Sequence, residues 1–267
     1  MKKFSIFSLA RNAFTGHKNW EKMWRSPDPK QEYDIVIIGG GGHGLGAAHF
    51  LARDHNITKV AVLEKGWLGG GNTGRNTMTV RSNFLREDSV PFHEMSLDLY
   101  HELSRELNYN LMVSKRGMIT FIQSSAANRV AMQMANTMHI YGAEYRMLSL
   151  DQIKRRIPAF DPSPNMRLPI RGGVYQPRAS MVRHDAVAWG FARAADARGV
   201  DIIQNCEVTG IRKEHGAVTG VETTKGFIRT KKIGMAVAGH GSVVASMVDQ
   251  RLPIITQPLQ AWVSEPI

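Results

Sequence analysis

The chain has 267 residues, of which 43% are hydrophobic, and it can therefore bury a large core in one large or two ordinary domains. Its formal net charge is +11, but lysine and arginine are spread along the chain without a recognition motif for nucleic acid; phosphorylated cofactors or an acidic partner subunit explain the charge as well. The single cysteine, Cys206, excludes an internal disulfide framework and is typical of a reducing compartment, here the cytoplasm, and none of the ten histidines has the spacing of a metal site.

The N-terminal residues 1–32 form an extension ahead of the first predicted strand. The opening MKKFSIFSLA has the two lysines and the short apolar stretch of a signal peptide but no clear cleavage site, so secretion is not favoured. The basic residues 11–32 contain Trp20 and Trp24, and they form either a mobile tail or an arm over a partner subunit. No run approaches the roughly 18 apolar residues of a membrane span, so no membrane partner is expected.

A dinucleotide-binding fold is predicted from residue 33 onward. Residues 33–38 are typical of a strand buried on both faces of a parallel sheet, and residues 45–53 of the helix that follows. The turn between them, GGGGHGLG, contains the fingerprint Gly39-x-Gly41-x-x-Gly44. Its glycines allow a tight turn, close approach of a diphosphate, and contact of helix with strand. The diphosphate would rest on the helix N-terminus, beside Gly42 and His43.

The residues after the second strand favour FAD over NAD. This strand, residues 59–63, ends at Glu64, which lies 25 residues after Gly39, about where an acceptor for a ribose hydroxyl belongs. The next segment, GWLGGGNTGRNTMTVRSNF, is again rich in glycine, whereas a plain dehydrogenase would enter its next helix. Backbone donors and small polar side chains could follow a diphosphate towards a flavin ring. The candidates are Lys65, Asn72, Thr73, Asn76, Thr77 and Arg75, the last being alternatively a solvated loop residue.

The remaining elements predict a layered α/β protein. A strand at 116–123 and helices at 127–140 and 148–155, the last begun near Ser149, are followed by a loop at 172–180. A helix at 183–199 is stopped by Gly199, and a strand at 200–206 and a hairpin at 217–230 come next. From Ile233 a strand runs into a second glycine turn, as in a chain that returns to the dinucleotide sheet.

The predicted fold class is a Rossmann-like FAD-binding domain of the glutathione-reductase type with an interleaved α+β substrate domain. The FAD-binding domain comprises residues 33–110 and 181–251. The substrate domain comprises residues 111–180, and residues 252–267 begin its returning strands.

Six segments together carry a family resemblance. GGGGHGLG with VLEKGW, GGNTGRNT with RSN, MVRHDAVAWGFA, and DIIQNCEVTGI resemble the β subunits of heterotetrameric sarcosine oxidases, within the glycine oxidase and D-amino acid oxidase group of flavoproteins. The resemblance extends over nearly all of residues 30–267. Complete members of this family run well beyond 267 residues, so a C-terminally truncated chain is expected.

The resemblance implies an activity, two flavins and three partners. Members bind FAD noncovalently and carry an FMN covalently on a histidine that matches His184. They assemble with alpha, gamma and delta subunits and demethylate sarcosine to glycine. The methyl group leaves as formaldehyde or as methylene-tetrahydrofolate, and oxygen is reduced to hydrogen peroxide. Two alternatives remain: another flavin amine dehydrogenase that oxidises dimethylglycine or glycine, and a noncatalytic flavin-binding or assembly subunit.

The resemblance also assigns roles to individual residues. Arg81 matches an arginine that grips the substrate carboxylate, which a guanidinium can do through two parallel hydrogen bonds; alternatively it lies on the surface or pairs with phosphate. Asp185 either orients the imidazole of His184 or caps a helix. Val208 either offers its backbone to the adenine or is an ordinary core residue.

Overall fold

The computed structural model describes residues 5–16, 18, 22–84 and 86–260. Residues 1–4 of the signal-like stretch, Trp20 of the predicted arm and residues 261–267 of the predicted returning strands lie outside the described residues. The chain divides into two compact units. The first unit comprises Met1–Thr77, Leu107–Tyr109 and His184–Ile267, and the second comprises Met78–Glu106 and Asn110–Arg183.

The described residues form seven helices and twelve strands, with three short 3₁₀ helices. The helices are Ile6–Phe14 (α1), Gly42–Asp54 (α2), Val90–Glu106 (α3), Ser125–Ile140 (α4), Leu150–Arg156 (α5), His184–Asp196 (α6) and Gly241–Ser246 (α7). The strands are Ile35–Ile38 (β1), Val60–Leu63 (β2), Thr79–Val80 (β3), Met118–Ile122 (β4), Arg146–Leu148 (β5), Gly172–Gln176 (β6), Ser180–Met181 (β7), Asp201–Ile203 (β8), Val208–Glu214 (β9), Ala217–Thr223 (β10), Gly226–Arg229 (β11) and Ile233–Met235 (β12). The 3₁₀ helices are Asn72–Arg75, Glu87–Ser89 and Ala238–His240.

A parallel four-stranded sheet is the centre of the first unit. Its strand order is β12-β1-β2-β8, and Ile37 of β1 lies opposite Val62 on one side and Gly234 on the other. All four residues of β2 are buried, as expected of a strand covered on both faces. β12 joins this sheet from the far end of the sequence, which confirms the predicted return of the chain to the dinucleotide fold.

An antiparallel sheet of order β11-β10-β9 completes the first unit. Its β10–β11 hairpin turns at Lys225, as predicted, whereas β9 was not predicted as a strand of this sheet. The two sheets share one core: Leu63 and Ile203 of the parallel sheet belong to the same buried cluster as Val208 and Val221. The antiparallel sheet thus packs against the parallel sheet through this shared core.

The second unit is built on the antiparallel sheet β4-β6-β5. Its core packs Ile122 and Val174 of the sheet against Met138 of α4. The predicted start of α5 near Ser149 is confirmed, because Ser149 and Gln152 form a capping box.

The predicted loop at 172–180 is wrong, because Gly172–Gln176 is the central strand of this sheet. The two consecutive glycines misled the prediction. A Cβ on Gly173 would lie 2.9 Å from Cγ2 of Ile119, so glycine here serves close packing against a neighbouring strand, not a turn.

The N-terminal extension contains one element that the sequence analysis did not predict. Ser5 caps α1 by accepting the Ser8 N–H at 3.2 Å. The helix buries none of its residues, and Phe7 and Phe14 are 84% and 92% exposed. Within the described ranges, no helix is both long and apolar enough to cross a membrane, and no cluster of three histidine, cysteine or acidic residues could hold a metal ion.

Candidate functional site

The turn after β1 depends on two glycines that touch the backbone. Gly39 has a φ of +109°, and a Cβ there would lie 2.3 Å from the carbonyl oxygen of Ala236 in the turn after β12. A Cβ on Gly44 would lie 2.0 Å from the carbonyl oxygen of Gly39. Neither position can hold a side chain without moving the backbone. These are the roles that the fingerprint gives to its first and third glycines.

Two consecutive glycines, Gly41 and Gly42, begin α2. Its N-cap is Gly41, which makes no side-chain cap, and His43 is the second residue of the helix. The N–H of Gly42 donates to Oγ1 of Thr73 at 2.9 Å. The N–H groups and the dipole at the start of a helix favour negative charge. Because glycines also leave space there, this end of α2 can accommodate a diphosphate.

Glu64 is tied to the glycine turn by both carboxylate oxygens. Oε2 accepts the N–H of Gly40 at 2.8 Å, and Oε1 accepts the N–H of Gly66 at 2.9 Å. Each oxygen of an ionised carboxylate has a further lone pair, so Glu64 can still accept a ribose hydroxyl. The next residue, Lys65, is exposed, and its Nζ lies 3.5 Å from Nε2 of His240.

The second glycine-rich segment is bonded to the first. The N–H of Gly69 donates to the carbonyl oxygen of Gly40 at 3.0 Å, next to the contact of Thr73 with Gly42. Inside the segment, the 3₁₀ helix Asn72–Arg75 is closed by the Asn76 amide, which donates to the carbonyl oxygen of Thr73 at 2.6 Å. The two segments therefore form one continuous backbone surface. Thr77 is the next residue along the chain.

An open cavity of about 410 Å³ lies beside this surface. Arg75 and His184 line it, as does the stretch from Trp67 to Gly70. His184 is the first residue of α6, and its Nδ1 is buried without a hydrogen-bond partner among the described residues. Its neighbour Asp185 also lines the cavity, and Oδ1 of Asp185 accepts the N–H of Ala186 at 2.8 Å. His184 thus lines the cavity, and no described residue competes with a ligand for its Nδ1.

Besides Leu68 and three glycines, four residues that line this cavity had no role assigned by the sequence analysis. They are Trp24, Trp67, Trp189 and Gln204. Trp67 and Trp189 belong to segments that carry the family resemblance. For Trp67, a bulky aromatic residue beside a glycine-rich loop was the available signal, whereas Trp189 lies within α6. Trp24 and Gln204 come from distant parts of the chain, where no motif pointed to a site.

Arg81 and Val208 are not among the residues that line this cavity. Nη1 of Arg81, in the second unit, donates to Oδ1 of Asn83 at 2.6 Å, and its guanidinium lies 4.7 Å from the ring centroid of Phe84. Asn83 is itself buried and donates to the hydroxyl of Tyr145 at 3.3 Å. Among the described residues, Nε and Nη2 of Arg81 make no hydrogen bond. The guanidinium is therefore held by hydrogen bonds through Nη1 alone. Val208, in the first unit, opens β9 and belongs to the core.

Comparisons with known proteins agree with this geometry. Residues 34–267 match the family model of the FAD dependent oxidoreductases. The chain is 49% identical to the sarcosine oxidase subunit beta of Rhizobium meliloti, over 98% of this chain and 63% of that protein. It is 46% identical to the subunit of the same name from Rhodobacter capsulatus, over 100% of this chain and 64% of that protein. The resemblance inferred from the motifs is thus confirmed, and the chain spans less than two thirds of these relatives.

Solved structures show the same fold at low identity. The L-proline dehydrogenase of P. horikoshii superposes with a TM-score of 0.77 at 22% identity, over 84% of this chain and 58% of that one. The glycine oxidase of Bacillus cereus superposes with a TM-score of 0.69 at 24% identity, over 80% of this chain and 57% of that one. The α/β fold, the glycine turn and the family match lead to one conclusion: the chain belongs to the family of FAD dependent oxidoreductases.

Proposed function

We propose that this chain is the flavin-bearing part of an enzyme that oxidises sarcosine to glycine. The observation that carries the proposal is the joined pair of glycine-rich segments, which open onto a cavity with an unpaired nitrogen of His184. The relatives named sarcosine oxidase subunit beta support the choice of substrate. Their names also support a complex, for which we propose alpha, gamma and delta partner subunits in the cytoplasm.

The residues present fit FAD on the surface made by the two segments. Gly39 and Gly44 keep the backbone close enough for a diphosphate to reach the start of α2, and Glu64 stands at the end of β2 with lone pairs for a ribose. Further contacts to FAD come from the bare turn and the second segment: Gly41, Gly42, His43, Lys65, Asn72, Thr73, Arg75, Asn76 and Thr77. The backbone of Val208 is the proposed contact for the adenine.

The cavity fits a second flavin, FMN, attached through His184. Its side chains include indoles and a guanidinium, which suit a planar aromatic ring and an anionic group respectively. When bound, FAD supplies the acceptor for the hydride equivalent of the N-methyl group, and FMN supplies the site of oxygen reduction. The chain itself orients the flavins, and its indoles and guanidinium surround the ring and the anionic group.

Sarcosine turnover tests this assignment directly. The full-length protein with its partner subunits is expected to convert sarcosine, oxygen and water to glycine, formaldehyde and hydrogen peroxide in equal amounts. Without oxygen, sarcosine should bleach the flavin absorbance. Bleaching by dimethylglycine or glycine but not by sarcosine would contradict the proposed substrate, and no bleaching by any of the three would favour a noncatalytic role.

Substitution of Arg81 tests the proposed contact with the substrate carboxylate. Arg81→Lys keeps the charge but loses the second parallel hydrogen bond, so KM for sarcosine should rise about ten- to a hundredfold, since a charge-assisted pair is worth about 1.5 to 3 kcal/mol. The matched control is Arg86→Lys in the same unit, where an exposed arginine pairs with Asp88 at 2.9 Å. Steady-state kinetics that leave KM equal in both variants would exclude the role.

A further inference from the structure

We propose that the N-terminal segment 22–33 supplies one wall of the cavity lined by His184, through Trp24, and that Asp201 holds this segment in place. The inference rests on the proposed function, because the ligand assigned to the cavity is the aromatic ring of the flavin on His184. Trp24 is half-buried and lines the cavity together with His184. The segment is therefore more than a leader to the first strand.

Three side chains of the segment converge on one buried carboxylate. Asp201 is 1% exposed. Its Oδ2 lies 2.6 Å from Nζ of Lys30 and accepts the hydroxyl of Tyr33 at 3.0 Å, while its Oδ1 lies 3.4 Å from Nη2 of Arg25. Burial raises the pKa of Tyr33 to about 12, so at neutral pH this hydroxyl keeps the proton that it donates. A buried carboxylate needs such partners, which fixes where the segment can lie.

The same contacts determine the position of Trp24. Arg25 follows it directly, and Nε of Arg25 lies 2.8 Å from Oδ1 of Asp196 while Nη2 donates to the carbonyl oxygen of Val200 at 3.3 Å. Asp196 ends α6, the helix that His184 begins. The residue next to Trp24 is thus held to the element that carries His184.

Strand β8 joins the anchor to the cavity. Asp201 begins β8, and Gln204, which follows it, lines the cavity and accepts the N–H of Leu68 at 3.0 Å. Loss of the charge on Asp201 should therefore act on the cavity by releasing the segment, which makes Asp201 a positioning residue and not a ligand contact.

The side chains around the cavity indicate the class of ligand. Three of its lining residues are tryptophans: Trp24, Trp67 and Trp189. The indole of Trp67 lies over Gly70, where a Cβ would come within 2.7 Å of the ring. Indole faces and edges favour offset or edge-to-face contact with another aromatic ring. A planar aromatic heterocycle on His184 would meet such contacts, and Trp24 would shield it from water.

Quenching by iodide tests the wall. In the full-length protein, the fluorescence of the flavin retained on His184 should be quenched by iodide about twofold more steeply in Trp24→Ala, because a pocket that buries 70 to 90% of its ligand then loses one wall. Trp24→Phe should restore much of the protection. Met23→Ala, at the exposed neighbouring position, is the matched control and should behave as wild type.

Proteolysis tests the anchor. In Asp201→Asn, Arg25 and Lys30 lose the negative charge with which they pair, so the segment should detach more often from the rest of the unit. Trypsin should therefore cut after Arg25 about tenfold faster. Cleavage after Lys225, at the tip of the β10–β11 hairpin, is the internal reference and should not change. Iodide quenching should increase in this variant as in Trp24→Ala.

The outcomes separate this inference from the proposed function. If the wild-type protein retains no flavin on His184, the covalent FMN site and the wall against it are overturned, whereas sarcosine oxidation at FAD and the Asp201 anchor are decided by their own tests. If the flavin is retained and Trp24→Ala is quenched no more than Met23→Ala, only the wall is overturned. Equal acceleration of cleavage after Arg25 and Lys225 in Asp201→Asn would overturn the anchor.

Discussion

Gly41→Val should give a folded protein that contains no FAD. Gly41 has φ −85° and ψ −178°, an extended conformation that any residue adopts, so the backbone tolerates the change. A Cβ there would lie 3.0 Å from Oγ1 of Thr73, a tight contact that a small shift of the threonine side chain would relieve. We expect the methyl groups of valine to extend into the space before the start of α2. That space is where the diphosphate is proposed to lie. The measurement is the amount of FAD released per chain on acid precipitation, which leaves out any flavin retained on His184, with near-ultraviolet circular dichroism as the test of folding.

Two glycines in the first turns of α2 provide matched comparisons. A Cβ on Gly46 would lie 3.6 Å from Cε2 of Phe191, an ordinary contact, so Gly46→Ala should keep both fold and FAD. Gly44→Ala should instead damage the fold itself, because its Cβ would collide with the carbonyl oxygen of Gly39 at 2.0 Å. A Gly41→Val protein with undiminished FAD would contradict the diphosphate site.

The dinucleotide fold was predictable because its signals are local. An apolar strand, a glycine turn and a helix follow one another within residues 35–54, and only glycine fits where Gly39 and Gly44 touch the backbone. β6 was not predictable in this way. Its Gly172 and Gly173 have the composition of a turn, and only the partner strands on both sides, which the sequence does not reveal, show that the glycines serve packing.

The candidate site was predictable where motifs mark it and not where tertiary contacts build it. Thr73 was assigned from the composition of its loop, but its bond to the N–H of Gly42 depends on how two loops meet. The position of Trp24 depends on Arg25 and on Asp196, an acidic residue far along the chain. Periodicity and spacing carry no information about such pairs, so the N-terminal segment could be predicted only as a tail or an arm.

The proposed covalent flavin predicts an all-or-none result for His184. A bond between a histidine nitrogen and the 8α carbon of a flavin survives denaturation, whereas FAD held by hydrogen bonds is released when the fold is lost. Acid precipitation of the full-length protein with its partner subunits should therefore leave FAD in the supernatant and about one flavin per chain in the pellet. Mass spectrometry should find an addition of the mass of FMN on the peptide that contains His184.

His184→Ala should abolish the retained flavin and leave the released FAD unchanged, because the contacts proposed for FAD lie in the glycine turn and the second glycine-rich segment. The matched control is His55→Ala, since His55 is an exposed residue at the C-terminal end of α2 in the same unit. Its pellet should keep the flavin. The unpaired Nδ1 of His184 makes the folded state tolerant of the substitution, because alanine removes a buried polar atom that no described residue satisfies. A colourless wild-type pellet, or a modified peptide without His184, would refute the covalent site and leave FAD as the single flavin of the chain.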